Sequence, residues 1–145
     1  MKQVTPNERI RAARERLGLD EGQVAFKTGL SYNEYWDLEN FEDEVCTTMS
    51  LKDLHGIGAV LGISVRAILE GDPTSSQSMT FAEFSNAVRA AVAASGQDVE
   101  QWGERAGWDI APILDDPDQV WELSVDAVRD ISDAAGIDWR PVIPE

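Results

Sequence analysis

SLKDLHGIGAVLGI, residues 50–63, is matched later in the chain by SVDAVRDISDAAGI, residues 124–137. Both runs open on serine, close on Gly-Ile and place apolar residues on one helical face. That face carries Leu51, Leu54, Ile57 and Leu61 in the first run, and Val125, Val128 and Ile131 in the second. Serine before an amphipathic run is a helix N-cap, and glycine after it supplies the left-handed turn that ends a helix. The same register extends outward. Ile10-Arg11-Ala12-Ala13 lines up with Val88-Arg89-Ala90-Ala91, Gly18 with Gly96, Asp20 with Asp98 and Gln23 with Gln101. Lys27 then meets Arg105, Gly29 meets Gly107, the cap Ser31 meets Asp109, and the core position Tyr35 meets Ile113. Agreement at caps, glycines and core positions together marks a tandem duplication.

The remaining patterning fits the same picture. Ile10, Ala13 and Leu17 form a further apolar stripe, strand-like alternation is absent, and the predicted class is all-α. Gly71-Asp72-Pro73-Thr74-Ser75-Ser76-Gln77-Ser78 has the small, polar, proline-bearing composition of a linker. The expected organisation is a first five-helix domain over 1–71, a linker over 72–79, and a second, degenerate domain over 80–145.

The first copy resembles the lambda-repressor/Cro class of helix-turn-helix domains. Residues 10–18 are similar to that family's first helix. Val24-Ala25 with Thr28-Gly29-Leu30-Ser31 resembles its second helix and tight turn. Tyr35, Leu38 and Glu39 sit where its third, recognition helix carries two core positions and a terminal acid, and Leu51 to Leu69 resembles helices four and five. The resemblance covers residues 6–70 well and 80–143 more loosely. It implies the fold, and it usually implies binding of operator DNA by a dimer, with the exposed start of the third helix entering the major groove. Function still has to be argued from the site.

The charge opposes DNA binding. The chain of 145 residues carries 12 Lys and Arg against 27 Asp and Glu, a net charge of −15. Residues 1–75 hold 8 basic and 13 acidic side chains, and residues 76–145 hold 4 and 14. Affinity for duplexes comes mainly from cations that neutralise phosphates. Between Lys27 and Lys52 there is no Lys or Arg, whereas Glu34, Asp37, Glu39, Glu42, Asp43 and Glu44 all fall there. At the reading positions only Tyr32 and Asn33 suit base contacts, and the arginines of the first helix, Arg11 and Arg14 among them, offer the best support for a DNA-binding alternative. The second copy presents Ile110, Ala111, Pro112, Asp115 and Asp116 there and is further from a DNA reader.

Aromatic residues crowd the same stretch. Tyr35 is read as core, Tyr32 and Trp36 lie off the core face among carboxylates, and Phe41 opens a loop. Trp36 and Phe41 are expected either to pack against the other copy or a dimer mate, or to anchor a separate partner. Trp102, Trp108 and Trp139 occupy matched apolar positions and are expected in the core; Trp121 is placed to cover the junction between copies. Gly56 and Gly58, inside the fourth helix, are read as permitting close helix approach.

No catalytic constellation is visible. The only histidine, His55, lies in the fourth helix without a nucleophile motif. No Cys/His set suits zinc, Asp115, Asp116 and Asp118 lack the spacing of a calcium loop, and no glycine-rich phosphate loop occurs. No cofactor or metal is expected. The only cysteine, Cys46, is read as a half-buried thiol, which with the lack of a signal-like or membrane-spanning run favours the cytoplasm. The leading expectation is a non-enzymatic acidic module, of antitoxin, immunity or inhibitor type, that binds a basic protein through Tyr32, Asn33, Glu34, Trp36, Asp37 and Phe41. Ile110, Asp115 and Asp116 are expected on the corresponding surface of the second copy. The alternatives are a Cro-like repressor using Tyr32, Asn33, Arg11 and Arg14, and a structural oligomerisation protein; homodimerisation is compatible with each.

Overall fold

The computed structural model describes residues 4–71 and 78–144, so most of the expected linker lies outside the described residues. Within them the chain is helical, with one isolated antiparallel bridge. The first half contains α1 (Pro6–Arg16), α2 (Glu21–Thr28), α3 (Tyr32–Asn40), the single turn α4 (Glu44–Thr47), α5 (Leu51–Leu61) and α6 (Val65–Glu70). The second contains α7 (Phe81–Ser95), α8 (Val99–Ala106), α9 (Ala111–Asp115), a 3₁₀ turn Pro117–Glu122, α10 (Val125–Ala135) and a last 3₁₀ turn Arg140–Val142.

The caps explain why these elements begin and end where they do. The Asp20 carboxylate accepts the Gln23 N–H while the Gln23 side chain accepts the Asp20 N–H, and Asp98 and Gln101 repeat this reciprocal box. Ser50 and Ser124 cap α5 and α10 by accepting from Asp53 N–H and Ala127 N–H. Gly62 and Gly136 end those helices at φ of 74° and 73°, a conformation in which a side chain is strained. The halves differ where proline intervenes. Pro112 sits in the first turn of α9, Pro117 follows its end, and α9 runs to five residues only, while Pro141 and Pro144 leave only a 3₁₀ turn where the first half has α6.

One continuous apolar cluster draws on both halves, from Ile10, Tyr35, Leu38 and Leu54 to Phe84, Val88, Ile113 and Ile131. Trp102 is buried in it, whereas Trp108 and Trp139 are half-buried at its edge. The Trp108 indole N–H donates to Asp130 at 3.0 Å, and the Arg129 guanidinium lies 4.5 Å from the centre of the Trp139 ring. Leu17, expected in the apolar stripe, is half exposed because it is already the C-cap of α1 and the chain turns away there. No helix among the described residues is long and apolar enough to cross a membrane.

The halves meet along a seam at the start of α5 and α10. Ser50 and Ser124 face each other in the isolated bridge, and the Leu51 N–H donates to the Leu123 carbonyl at 2.8 Å. On either side of the bridge, α10 packs on α4 and α5 packs on the 3₁₀ turn Pro117–Glu122. Trp121 covers the junction as expected, its ring edge-on to His55 at 5.3 Å and to Phe81 at 5.1 Å.

Of the two glycines inside α5, only Gly58 permits close approach. A Cβ there would stand 2.3 Å from the Ile63 carbonyl oxygen, which the turn at Gly62 folds back over the helix; a Cβ at Gly56 meets nothing within 4 Å. Gly58→Ala should therefore lower stability by about 2–3 kcal/mol through forced backbone displacement. Gly56→Ala should raise it by about 0.5–1 kcal/mol through improved helix propensity. Urea unfolding of the two variants beside the native chain checks both signs.

Candidate functional site

The turn between α2 and α3 is built by local chemistry. Gly29 takes the left-handed conformation at φ 77°, and Ser31 then caps α3 in a reciprocal box with Glu34. Helical periodicity sorts the residues of α3 into two faces. Tyr35, Leu38 and Glu39 are buried, while Tyr32, Asn33, Glu34, Trp36 and Asn40 are exposed and Asp37 is half-buried. Glu34 is the capping acid. Its carboxylate accepts the Ser31 N–H at 3.0 Å, and that bond, with the one from the hydroxyl, holds its carboxyl below the usual range.

Trp36 and Phe41 pack edge to face, ring centres 5.9 Å apart, and both stay exposed. Of the alternatives expected for them, cover by the other half is not what the fold supplies. The Asn40 side chain donates to the Trp36 carbonyl and accepts from Arg11, which steadies the end of α3 beneath the pair. Phe26, not singled out from the sequence, is the most exposed large apolar side chain described, at 88%. Its signal was present in the register: Val24 and Ala25 form the buried face of α2, so the next residue points outward. Phe26, Tyr32, Trp36 and Phe41 thus make residues 26–41 an outward aromatic segment, whereas the second half contributes only Val99 to the exposed large apolar residues described.

Behind this face lies a buried ion pair. The Glu39 side chain is 1% exposed, and its two oxygens accept from Arg14 Nε at 2.6 Å and Arg14 Nη2 at 2.9 Å. Arg11 adds a longer contact at 3.4 Å and donates to the Glu39 carbonyl, as does Asn7. Bidentate Arg–carboxylate geometry is the strong form of this interaction. Burial raises the Glu39 carboxyl, but the Arg14 hydrogen bonds and charge outweigh it, and the net shift is downward. The bond to Glu39 raises the Arg14 guanidinium further. The buried Tyr35 phenol is pushed up, chiefly by burial, and its hydroxyl, beside this pair, closes no regular hydrogen bond. Arg11 and Arg14, candidate phosphate or base contacts in the DNA-binding alternative, are thereby committed to α3 of their own chain. Arg9 donates to the Ile68 and Val4 carbonyls.

The second half differs from expectation at Ile110, which is fully buried rather than part of a surface. The Asp109 carboxylate accepts the Ala111 N–H and holds the turn, so Ile110 becomes the N-cap of α9, on the same inward side as Ile113 and Leu114. Asp115 and Asp116 are exposed as expected, Asp116 capping the following 3₁₀ turn through the Asp118 N–H. At the place matched to Phe26 stands Glu104, in an open groove with Glu100, Asp109, Val99 and Trp108. The two turn faces are therefore chemically unlike.

The remaining reactive groups lie apart. His55 is exposed against the Trp121 edge, and Cys46 is half-buried with its thiol pushed up by burial. Among the described residues no group of three or more His, Cys, Asp or Glu gathers as a metal-ligand set. The chain matches no known protein-family model, and no curated protein matches its sequence.

The buried pair makes two expectations measurable. Arg14→Met, which leaves the Glu39 carboxylate buried with only the long Arg11 contact, should reduce stability by about 3 kcal/mol in urea unfolding. Because the Glu39 carboxyl is depressed in the fold, its contribution is present above the ordinary carboxylate value of about 4.3 and is lost as pH falls through the lower folded value. The native Tm should fall more steeply below that pH than the Tm of Glu39→Gln; parallel acid profiles would contradict the assignment.

Proposed function

We propose that the chain is a non-enzymatic, acidic protein-binding module of antitoxin, immunity or inhibitor type: two lambda-repressor-like helix-turn-helix domains in tandem whose working face is the α2–α3 segment of the first. The target is a basic protein. The observation that carries this reading is the exposure of Phe26, Tyr32, Trp36 and Phe41 within sixteen residues of a chain of net charge −15. Aromatic side chains left in water amid carboxylates have the composition of an interface centre, where Trp and Tyr dominate binding energy. The surrounding acids, Asp37, Glu42 and Asp43, suit steering of a cationic surface toward them. Asn33, exposed on the same turn of α3, adds a neutral donor and acceptor.

The commitment of Arg11 and Arg14 to Glu39 weighs against a repressor. A helix-three surface without free arginines, flanked by carboxylates, has little to hold it on a phosphate backbone.

Two measurements test the reading. Fluorescence anisotropy with mixed-sequence duplex DNA at low salt should show no association; binding that weakens steeply with added salt would sink it. A partner captured by the native chain from its source cells should be basic and should lose at least about tenfold in affinity with Phe26→Ser or Trp36→Ala. Equal capture by all three chains would remove this face from the interface.

A further inference from the structure

The matched positions of the two halves also meet each other in space. Ser50 pairs with Ser124, its own counterpart, and two copies of one residue can face each other only where a two-fold axis passes between them. The flanking contacts are reciprocal in the same sense. Helix α5 packs on the 3₁₀ turn Pro117–Glu122, and its counterpart α10 packs on α4, the counterpart of that turn. At residue level, His55 of α5 lies against Trp121, while Arg129, in the matched place on α10, lines one cavity with Cys46 and with Thr47, the residue matched to Trp121.

The arginines at the far end repeat the exchange. Arg66, buried, donates across the seam from Nε to the Ile143 carbonyl at 2.7 Å and from Nη2 to the Pro141 carbonyl at 3.1 Å. Its counterpart Arg140 crosses the other way, Nε to Glu70 at 2.8 Å. A bridge at self-matched residues, reciprocal helix contacts and reciprocal arginines are the marks of an isologous interface, in which one patch serves both partners.

We infer that the second half occupies the place of a second copy of the first: the chain is its own dimer, and this surface is closed to any other copy. The area around Ser50, α4 and α5 is spent inside the molecule, so the chain is a monomer with respect to it. What a homodimer presents twice, this chain presents once in each of two forms, the aromatic α2–α3 face and the acidic groove around Glu100 and Glu104. A basic target accordingly binds one chain per site. That stoichiometry rests on the protein-binding reading above; the internal pairing does not.

The full chain carries the test. Facing residues of an antiparallel bridge lie within disulfide reach. Ser50→Cys with Ser124→Cys, in a Cys46→Ser background, should oxidise to a disulfide within single chains, seen as a monomer on a non-reducing gel with helical circular dichroism retained. Disulfide-linked dimers, or no disulfide in the folded protein, would overturn the inference. The native chain supplies a reading free of substitutions. Light scattering should return one chain mass across the micromolar range, and the Leu51 amide should exchange slowly at a rate independent of protein concentration. A dimer mass, or protection that rises with concentration, would show the surface joining separate chains. Two chains per target molecule, with the intramolecular disulfide intact, would overturn the stoichiometry alone.

Discussion

A helix that begins inside a protein leaves its first amide hydrogens without intrahelical acceptors, and each must be satisfied. For α5 one of them, the Leu51 N–H, goes to the Leu123 carbonyl of the other half. Much of the architecture follows from that bond. Helix α5 touches α1, α2 and α6 in its own half and the 3₁₀ turn in the other, so anchoring its N-terminus orients both halves at once. The Ser50 side chain caps the same helix through the Asp53 N–H. One residue therefore ends a loop, starts a helix and marks the seam, and its counterpart Ser124 does the same from the opposite side.

The buried Glu39 is the second organising element. A carboxylate removed from water is tolerable only when paired, and the pairing recruits the arginines that a nucleic-acid reader would spread toward phosphates. Arg14 grips both oxygens, and Arg11 and Asn7 hold the Glu39 backbone carbonyl. The result ties α1 to the end of α3 and leaves the outward side of α3 to aromatic and acidic side chains. Stability of the first half and the character of its surface thus share one cause.

The two halves share caps and helix stops and differ in their surfaces. Phe26 is matched by Glu104, and the exposed first turn of α3 is matched by a proline-bounded helix of five residues whose leading residue, Ile110, is buried. What the two halves share is what the fold needs, namely caps, helix stops and inward apolar positions. Outward positions are under no such constraint, and there the halves present unlike faces.

The boundaries of this division follow the range of the interactions. N-caps at Asp20, Ser31, Ser50, Ser124 and Asp98, the left-handed glycines, and the apolar stripes of α5 and α10 all depend on residues three or four apart, and were legible in the linear order. The placement of Tyr32 and Trp36 off the core face was legible for the same reason. Other features depend on partners far apart in sequence. The grip of Arg14 on Glu39, the burial of Ile110 beneath the Asp109 turn and the facing of Ser50 with Ser124 were decided only when the helices packed. Helical period and capping chemistry by themselves determined the helical elements and where they begin and end; tertiary structure decided which charges are consumed internally and which aromatic rings remain outside, because only packing brings distant side chains within bonding distance.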